Sequence, residues 1–165
     1  MSQPDLDEIS FETEEPQTEQ LMTFRIRDEI YGLSILRVQE IRSLCPMTLI
    51  PNSPPSVIGM MNLRGAIVPV IDLCQRLSIG ESNVSETSVI IITKAIDLKN
   101  DTEKTVGLVV DQVREAQSIF LYDLQDAPSE MEAKVPQGSI QGLVEMDSQM
   151  TIVLNLDRLF SENFF

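Results

Sequence analysis

The sequence predicts an all-β protein, mainly antiparallel, folded as two small barrels in tandem with a few short helices. Three observations carry that expectation. Apolar and β-branched runs recur along the 165 residues, separated by short polar turns. No regular helical segments of roughly 10–15 residues stand between them, which argues against a parallel sheet with crossover helices. Two blocks of sequence also recur in the same order. Gly59 to Asp72 and Gly142 to Asn155 span equal lengths and end alike, Val70-Ile71-Asp72-Leu73 against Val153-Leu154-Asn155-Leu156. Upstream, Gly32-Leu33 with Val38 and Glu40 parallels Gly107-Leu108 with Val113 and Glu115. Agreement in spacing at both blocks argues for an internal duplication. Half of this chain is long enough to close into a small barrel, which removes most exposed strand edges.

Taken in order, residues 1–20 hold seven acids (Asp5, Asp7, Glu8, Glu12, Glu14, Glu15 and Glu19) and no Lys or Arg. Such a one-signed, apolar-poor segment is expected to be a disordered tail. The folded part is expected over residues 21–165, as two intertwined barrel subdomains of approximately 21–86 and 87–160. Residues 21–26 and 30–35 read as a hairpin across Arg27-Asp28-Glu29, with Met22, Phe24 and Ile26 alternating into a core. Val38, Ile41 and Leu44, three apart, suggest a short amphipathic helix ended by Pro46. Residues 48–50 suggest a short strand, and Pro51-Asn52-Ser53-Pro54-Pro55 a rigid loop.

The central feature follows. Residues 57–63 and 66–71 flank Arg64-Gly65 at hairpin spacing, so Gly65 is expected to supply a positive φ and Arg64 to project from the tip. Of the neighbours Met60 and Met61, one is expected inside and one outside. Pro69 cannot donate to a ladder, which suggests an edge strand or a bulge. Asp72 with Gln75 resembles a capping pair, so a short helix should start at Leu73. A linker over 78–86 leads to a buried strand at 87–94, a polar loop at 95–104, and strands at 105–110 and 113–119. Residues 120–139 are long enough to hold a helical turn, before the closing hairpin and a short helix from Asn155.

Several function classes are excluded or disfavoured. The chain contains no His, which removes imidazole general bases, His-based zinc sites, Ser-His-Asp hydrolysis and a phosphohistidine relay. Its seven glycines form neither a phosphate-binding loop nor a dinucleotide fingerprint. No catalytic residue, metal ligand set or cofactor is therefore expected. The formal charge of −14 argues against nucleic acid and against anionic membrane surfaces. The longest purely aliphatic run, residues 89–92, is far short of a membrane span, and no signal-peptide pattern opens the chain. Cys45 and Cys74 are expected to be reduced thiols of a cytoplasmic protein. A phospho-receiver is the rival reading, since Asp72 and Lys94 each end an apolar strand, but the acidic pair and full helices of that fold are not evident.

Tyr31-Gly32-Leu33-Ser34-Ile35-Leu36-Arg37-Val38-Gln39-Glu40-Ile41-Arg42, Gly59, Asn62-Leu63-Arg64-Gly65 and Val68-Pro69-Val70-Ile71-Asp72-Leu73 together resemble the chemotaxis coupling proteins of the CheW family. The resemblance runs on through Val106-Gly107-Leu108-Val109-Val110-Asp111-Gln112-Val113 and covers roughly residues 21–160. It implies two five-stranded SH3-like barrels packed side by side, and a non-enzymatic adaptor joining cytoplasmic chemoreceptor tips to the CheA histidine kinase. Receptor docking would fall in the groove between the barrels, near Val38, Glu40, Asn62 and Arg64, with Gly59 and Gly65 shaping the surface. Kinase contact would use apolar residues at the barrel ends. Cys74 stands where relatives usually carry a basic residue, and the loop at 95–104 looks longer than usual. The pathway served is then flagellar chemotaxis or a related pilus or developmental system.

Overall fold

A computed structural model describes residues 17–82 and 84–160. Its strands are β1 (Thr18–Ile26), β2 (Glu29–Ser34), β3 (Val38–Ser43), β4 (Val57–Leu63), β5 (Ala66–Asp72), β6 (Val89–Asp97), β7 (Thr102–Val110), β8 (Gln112–Phe120), β9 (Ile140–Met146) and β10 (Gln149–Leu154). Among the described residues the α-helices are single turns: α1 (Leu73–Arg76), α2 (Ser129–Glu132) and α3 (Leu156–Leu159). Short 3-10 turns occupy Ile35–Arg37 and Leu121–Asp123.

The strands form two five-stranded, SH3-like sheets. The first has the order β8-β1-β2-β10-β9 and the second β3-β6-β7-β5-β4. Each therefore takes a hairpin from one half of the chain and three strands from the other. The expected division near residue 86 does not separate the barrels: strands β3 and β8 each cross over to the sheet that their preceding hairpin does not occupy.

The duplication is visible in the register. Val70 pairs in parallel with Gly107 in one sheet, and Val153 with Gly32 in the other. The Asp72 amide donates to the Ser56 carbonyl at 2.8 Å, and that of Asn155 to the Ser139 carbonyl at 2.7 Å. Thr48 bridges Met60 as Gln125 bridges Leu143. Met60 and Leu143, like Gly59 and Gly142, occupy equivalent places in the repeat, so each barrel carries a passing segment against its equivalent edge strand, β4 in one and β9 in the other. Asp72 and Asn155 also cap equivalent helices, accepting from the amides of Cys74 at 3.1 Å and Arg158 at 3.2 Å.

Three apolar cores follow from this arrangement. Met61, Leu63, Val68, Val70, Ile90 and Ile92 fill the second barrel, and Leu21, Ile119, Val144 and Val153 fill the first. A larger shared core lies between them, drawing Phe24, Ile26, Tyr31, Leu33 and Leu154 from one barrel and Ile71, Ile91, Leu108 and Val110 from the other. This explains the uninterrupted Val89-Ile90-Ile91-Ile92 run: alternate side chains enter different cores, so Ile90, Ile91 and Ile92 are all fully buried although they face opposite ways. Of the adjacent methionines, Met61 is buried and Met60 half-buried.

Several local expectations need correction. Residues 38–43 form strand β3, not a helix, because β6 offers a full ladder from Val38↔Thr93 to Ser43↔Val89. Three-residue spacing over so short a run does not distinguish the two states. The polar stretch 95–104 is mostly strand, leaving a tight turn between Asp97 and Thr102. Residues 48–50 supply an isolated bridge at Thr48 and no strand. Residues 18–20, placed in the expected tail, belong to β1 and pair with β8; residues 1–16 lie outside the described residues. Pro69 lies in an internal strand, yet β5 joins β7 only from Val70 onward, so the missing amide interrupts no ladder to β7. Met22 is half-buried while Leu21 and Thr23 are buried, because a register shift between Met22 and Phe24 changes which face points inward.

Candidate functional site

The site is built where the second sheet closes on itself. Strands β3 and β4 are its two edges, and in a flat sheet four spacings would hold them roughly 19 Å apart. Curvature instead brings Glu40 of β3 to Arg64 at the β4–β5 tip. Arg64 Nη1 donates to Glu40 Oε2 at 2.6 Å and Nη2 to Oε1 at 3.2 Å, a two-pronged pair across the seam. Arg42, two residues along β3, donates to the same Oε1 at 3.4 Å. The Arg64 guanidinium holds the Glu40 carboxyl below its usual range, and Glu40 in turn raises Arg64.

The turn follows from its residues. Arg64 has φ 53° and Gly65 φ 90°, the two positive values that a tight two-residue hairpin loop requires. Asn62 Oδ1 accepts from the Gly65 amide at 2.9 Å and closes the turn. The Arg64 side chain remains 65% exposed despite its partner. Gly65 has open space around it, so its backbone angle is what selects glycine. Gly59 is different: a Cβ there would lie 2.8 Å from Met47 Cβ and 3.1 Å from the Thr48 carbonyl oxygen. It is glycine because the passing segment 47–48 presses on the strand.

Glu40, Asn62, Arg64 and Gly65 thus gather on the seam of one barrel. Gly59 is buried nearby in β4, and Val38 packs against the shared core at the start of β3. This differs from a groove lined evenly by both barrels: of the six residues, Val38 alone reaches the junction. A groove of about 550 Å³ exists elsewhere, bordered by Tyr31, Leu77, Met131, Val135, Ile140 and Leu154, and none of the six lines it. Arg42 was not singled out from sequence, although its two-residue spacing from Glu40 places both on one strand face once β3 is known to be a strand. Ile67, paired with Asn62 and 73% exposed, adds an apolar neighbour. Among the described residues no cluster of three or more His, Cys, Asp or Glu side chains is arranged to hold a metal. No helix among them is long and apolar enough to cross a membrane. Both cysteines are free, with Cys74 buried and its thiol pushed up by burial against the lowering effect of Arg27.

The model of the CheW-like domain matches residues 20–164. The chain belongs to the CheW family. It is 34% identical over 143 residues to the probable chemotaxis protein CheW of Rhizobium etli, covering 87% of this chain and 88% of that protein. To the chemotaxis protein CheW of Klebsiella aerogenes it is 34% identical over 145 residues, with 87% and 82% covered. The crystal structure of the scaffolding protein TtCheW from Thermoanaerobacter tengcongensis superposes with a TM-score of 0.76 at 32% identity, covering 92% of this chain and 94% of that one. The two-barrel frame is therefore that of a coupling adaptor of bacterial chemotaxis signalling.

Proposed function

We propose that this chain is a non-enzymatic adaptor that joins the cytoplasmic tips of chemoreceptors to a CheA-type histidine kinase, in the cytoplasm at membrane-bound receptor arrays. Receptor contact falls to the seam of the second barrel, through Val38, Glu40, Asn62 and Arg64, with Gly59 and Gly65 shaping the backbone. The observation that carries this reading is the Arg64–Glu40 pair. Two guanidinium nitrogens are already held while most of the side chain stays in water. A partner that meets a pre-oriented side chain loses less rotamer entropy on binding. The remaining N–H donors are free to meet carboxylates or carbonyls on a receptor tip.

The test is reconstitution of receptor cytoplasmic fragment, kinase and this protein, with thermal unfolding of each variant alongside. Arg64→Glu is expected to fold and to lose receptor control of the kinase, because it places a second acid beside Glu40 and reverses the charge offered to the partner. The exchange variant Glu40→Arg/Arg64→Glu restores a pair across the seam but inverts its outward charge. If the exchange variant recovers coupling, the pair serves barrel closure alone. If it stays uncoupled while folded, the outward charge faces the receptor. Normal coupling by folded Arg64→Glu would refute the assignment.

A further inference from the structure

The two places where the chain crosses between barrels are fastened differently. The first crossover runs from β2 to β3 through the turn Ile35–Arg37. There Arg37 Nη2 lies 2.5 Å from Asp157 Oδ2, and Nη1 reaches the Lys94 carbonyl at 3.4 Å. The other Asp157 oxygen accepts from the Ile96 amide at 2.7 Å. A single carboxylate on α3, which follows the last strand of the first barrel, thereby holds both the crossover and β6 of the second. Its side chain is 14% exposed and that of Arg37 31%, so the pair is partly shielded from water.

The repeat supplies the comparison. Cys74 on α1 occupies the place equivalent to Asp157, where Arg27 Nε lies 3.4 Å from its Sγ. Arg27 also donates from Nη2 to the Glu81 carbonyl at 2.8 Å and from its amide to Asp111 Oδ2 at 2.6 Å. The thiol thus meets the β1–β2 turn, while the β7–β8 crossover is held at Asp111, whose amide donates to the Arg25 carbonyl at 3.0 Å and whose carbonyl accepts from Thr87 Oγ1 at 2.8 Å. The fastening made by a helix-borne carboxylate sits immediately before β3.

That position has a consequence for the seam. Arg37 is followed by Val38, and Glu40 lies two residues further on. β3 is an edge strand bonded to β6 alone, and its register shifts between Val38 and Glu40. A bulged edge strand is readily displaced, so its placement depends on what anchors its ends. We propose that Asp157 is a positioning residue for the receptor-facing seam: through Arg37 and Ile96 it fixes where β3 begins, and so where Glu40 meets Arg64. The functional half of this inference rests on the receptor reading above, while the structural half does not.

Hydrogen exchange of the full chain, with capture of a receptor cytoplasmic fragment measured in parallel, tests both halves. Asp157→Asn should speed exchange over residues 38–43 about fivefold while β8 and β9 keep their rates, and should weaken capture by a similar factor. Arg37→Ala should reproduce this from the other side of the pair, and Asp157→Glu, which keeps the charge, should recover most of it. Unchanged exchange in β3 would overturn the proposal, as would a uniform rise over both barrels, which marks a general stabiliser. Faster exchange in β3 with undiminished capture would also overturn it, since the seam would then not depend on the latch. Faster exchange in β3, in a chain whose unsubstituted form captures no receptor fragment, would uphold the latch and refute the receptor reading.

Discussion

Ile91→Ala tests whether the shared core makes the two barrels one cooperative unit. Ile91 is fully buried in β6, pairs with Ile41 and Leu108, and belongs to the core between the barrels. Its neighbours Ile90 and Ile92 instead fill the second barrel. Truncation removes three carbons, about 2.4 kcal/mol at about 0.8 per methylene. The cavity left behind raises the cost to about 3–4 kcal/mol, inside the range of about 2–5 found for such changes. With a urea slope of about 2 kcal/mol/M, the midpoint should fall by about 1.5–2 M. Far-UV circular dichroism follows both sheets, and near-UV dichroism follows Tyr31, which is buried in β2 of the first barrel. Both signals should fall together at the lower midpoint. If Tyr31 keeps its original midpoint while the far-UV signal shifts, the barrels unfold separately and the reasoning fails.

Two further outcomes are expected. Gly107→Ala places a Cβ 2.9 Å from Ile90 Cγ2 and 3.5 Å from Val70 Cγ2 inside the second barrel, and should cost about 1–3 kcal/mol by overpacking; a raised melting temperature would show that the interior has room. Burial, with Glu29 adding to it, pushes the Tyr31 hydroxyl up to about 12 from an ordinary value near 10. The folded state then holds a proton that the unfolded chain gives up, so this contribution is whole below about pH 10 and is lost as pH rises toward about 12. Thermal unfolding from pH 9 upward should decline less steeply for Tyr31→Phe, and parallel declines would assign the alkaline loss to other groups.

The parts of the fold legible in the sequence were those decided by near neighbours. Arg64-Gly65 announced a hairpin because both turn positions need a positive φ, and the structure has 53° and 90° there. Asp72 announced a helix start because its carboxylate sits within reach of the Cys74 amide and the Gln75 side chain. The matched glycines announced the repeat, and their cause is now visible as close approach: Gly59 and Gly142 beside passing backbone, Gly32 and Gly107 beside barrel side chains. Each of these constraints acts over a few residues of chain or recurs at fixed spacing, so it leaves a mark in the order of amino acids.

What the tertiary structure alone decided were choices between distant partners. Val38-Gln39-Glu40-Ile41-Arg42-Ser43 is short enough to suit a helix turn or a strand, and the free edge of β6 settled it. The exchange of β3 and β8 between barrels leaves no periodic signal, because a strand looks the same whichever hairpin it joins. The Glu40–Arg64 pair was legible only as two charged residues 24 positions apart. It became an ion pair when the curvature of five strands brought two opposite edges together, and that curvature belongs to the packed sheet rather than to any one of its segments.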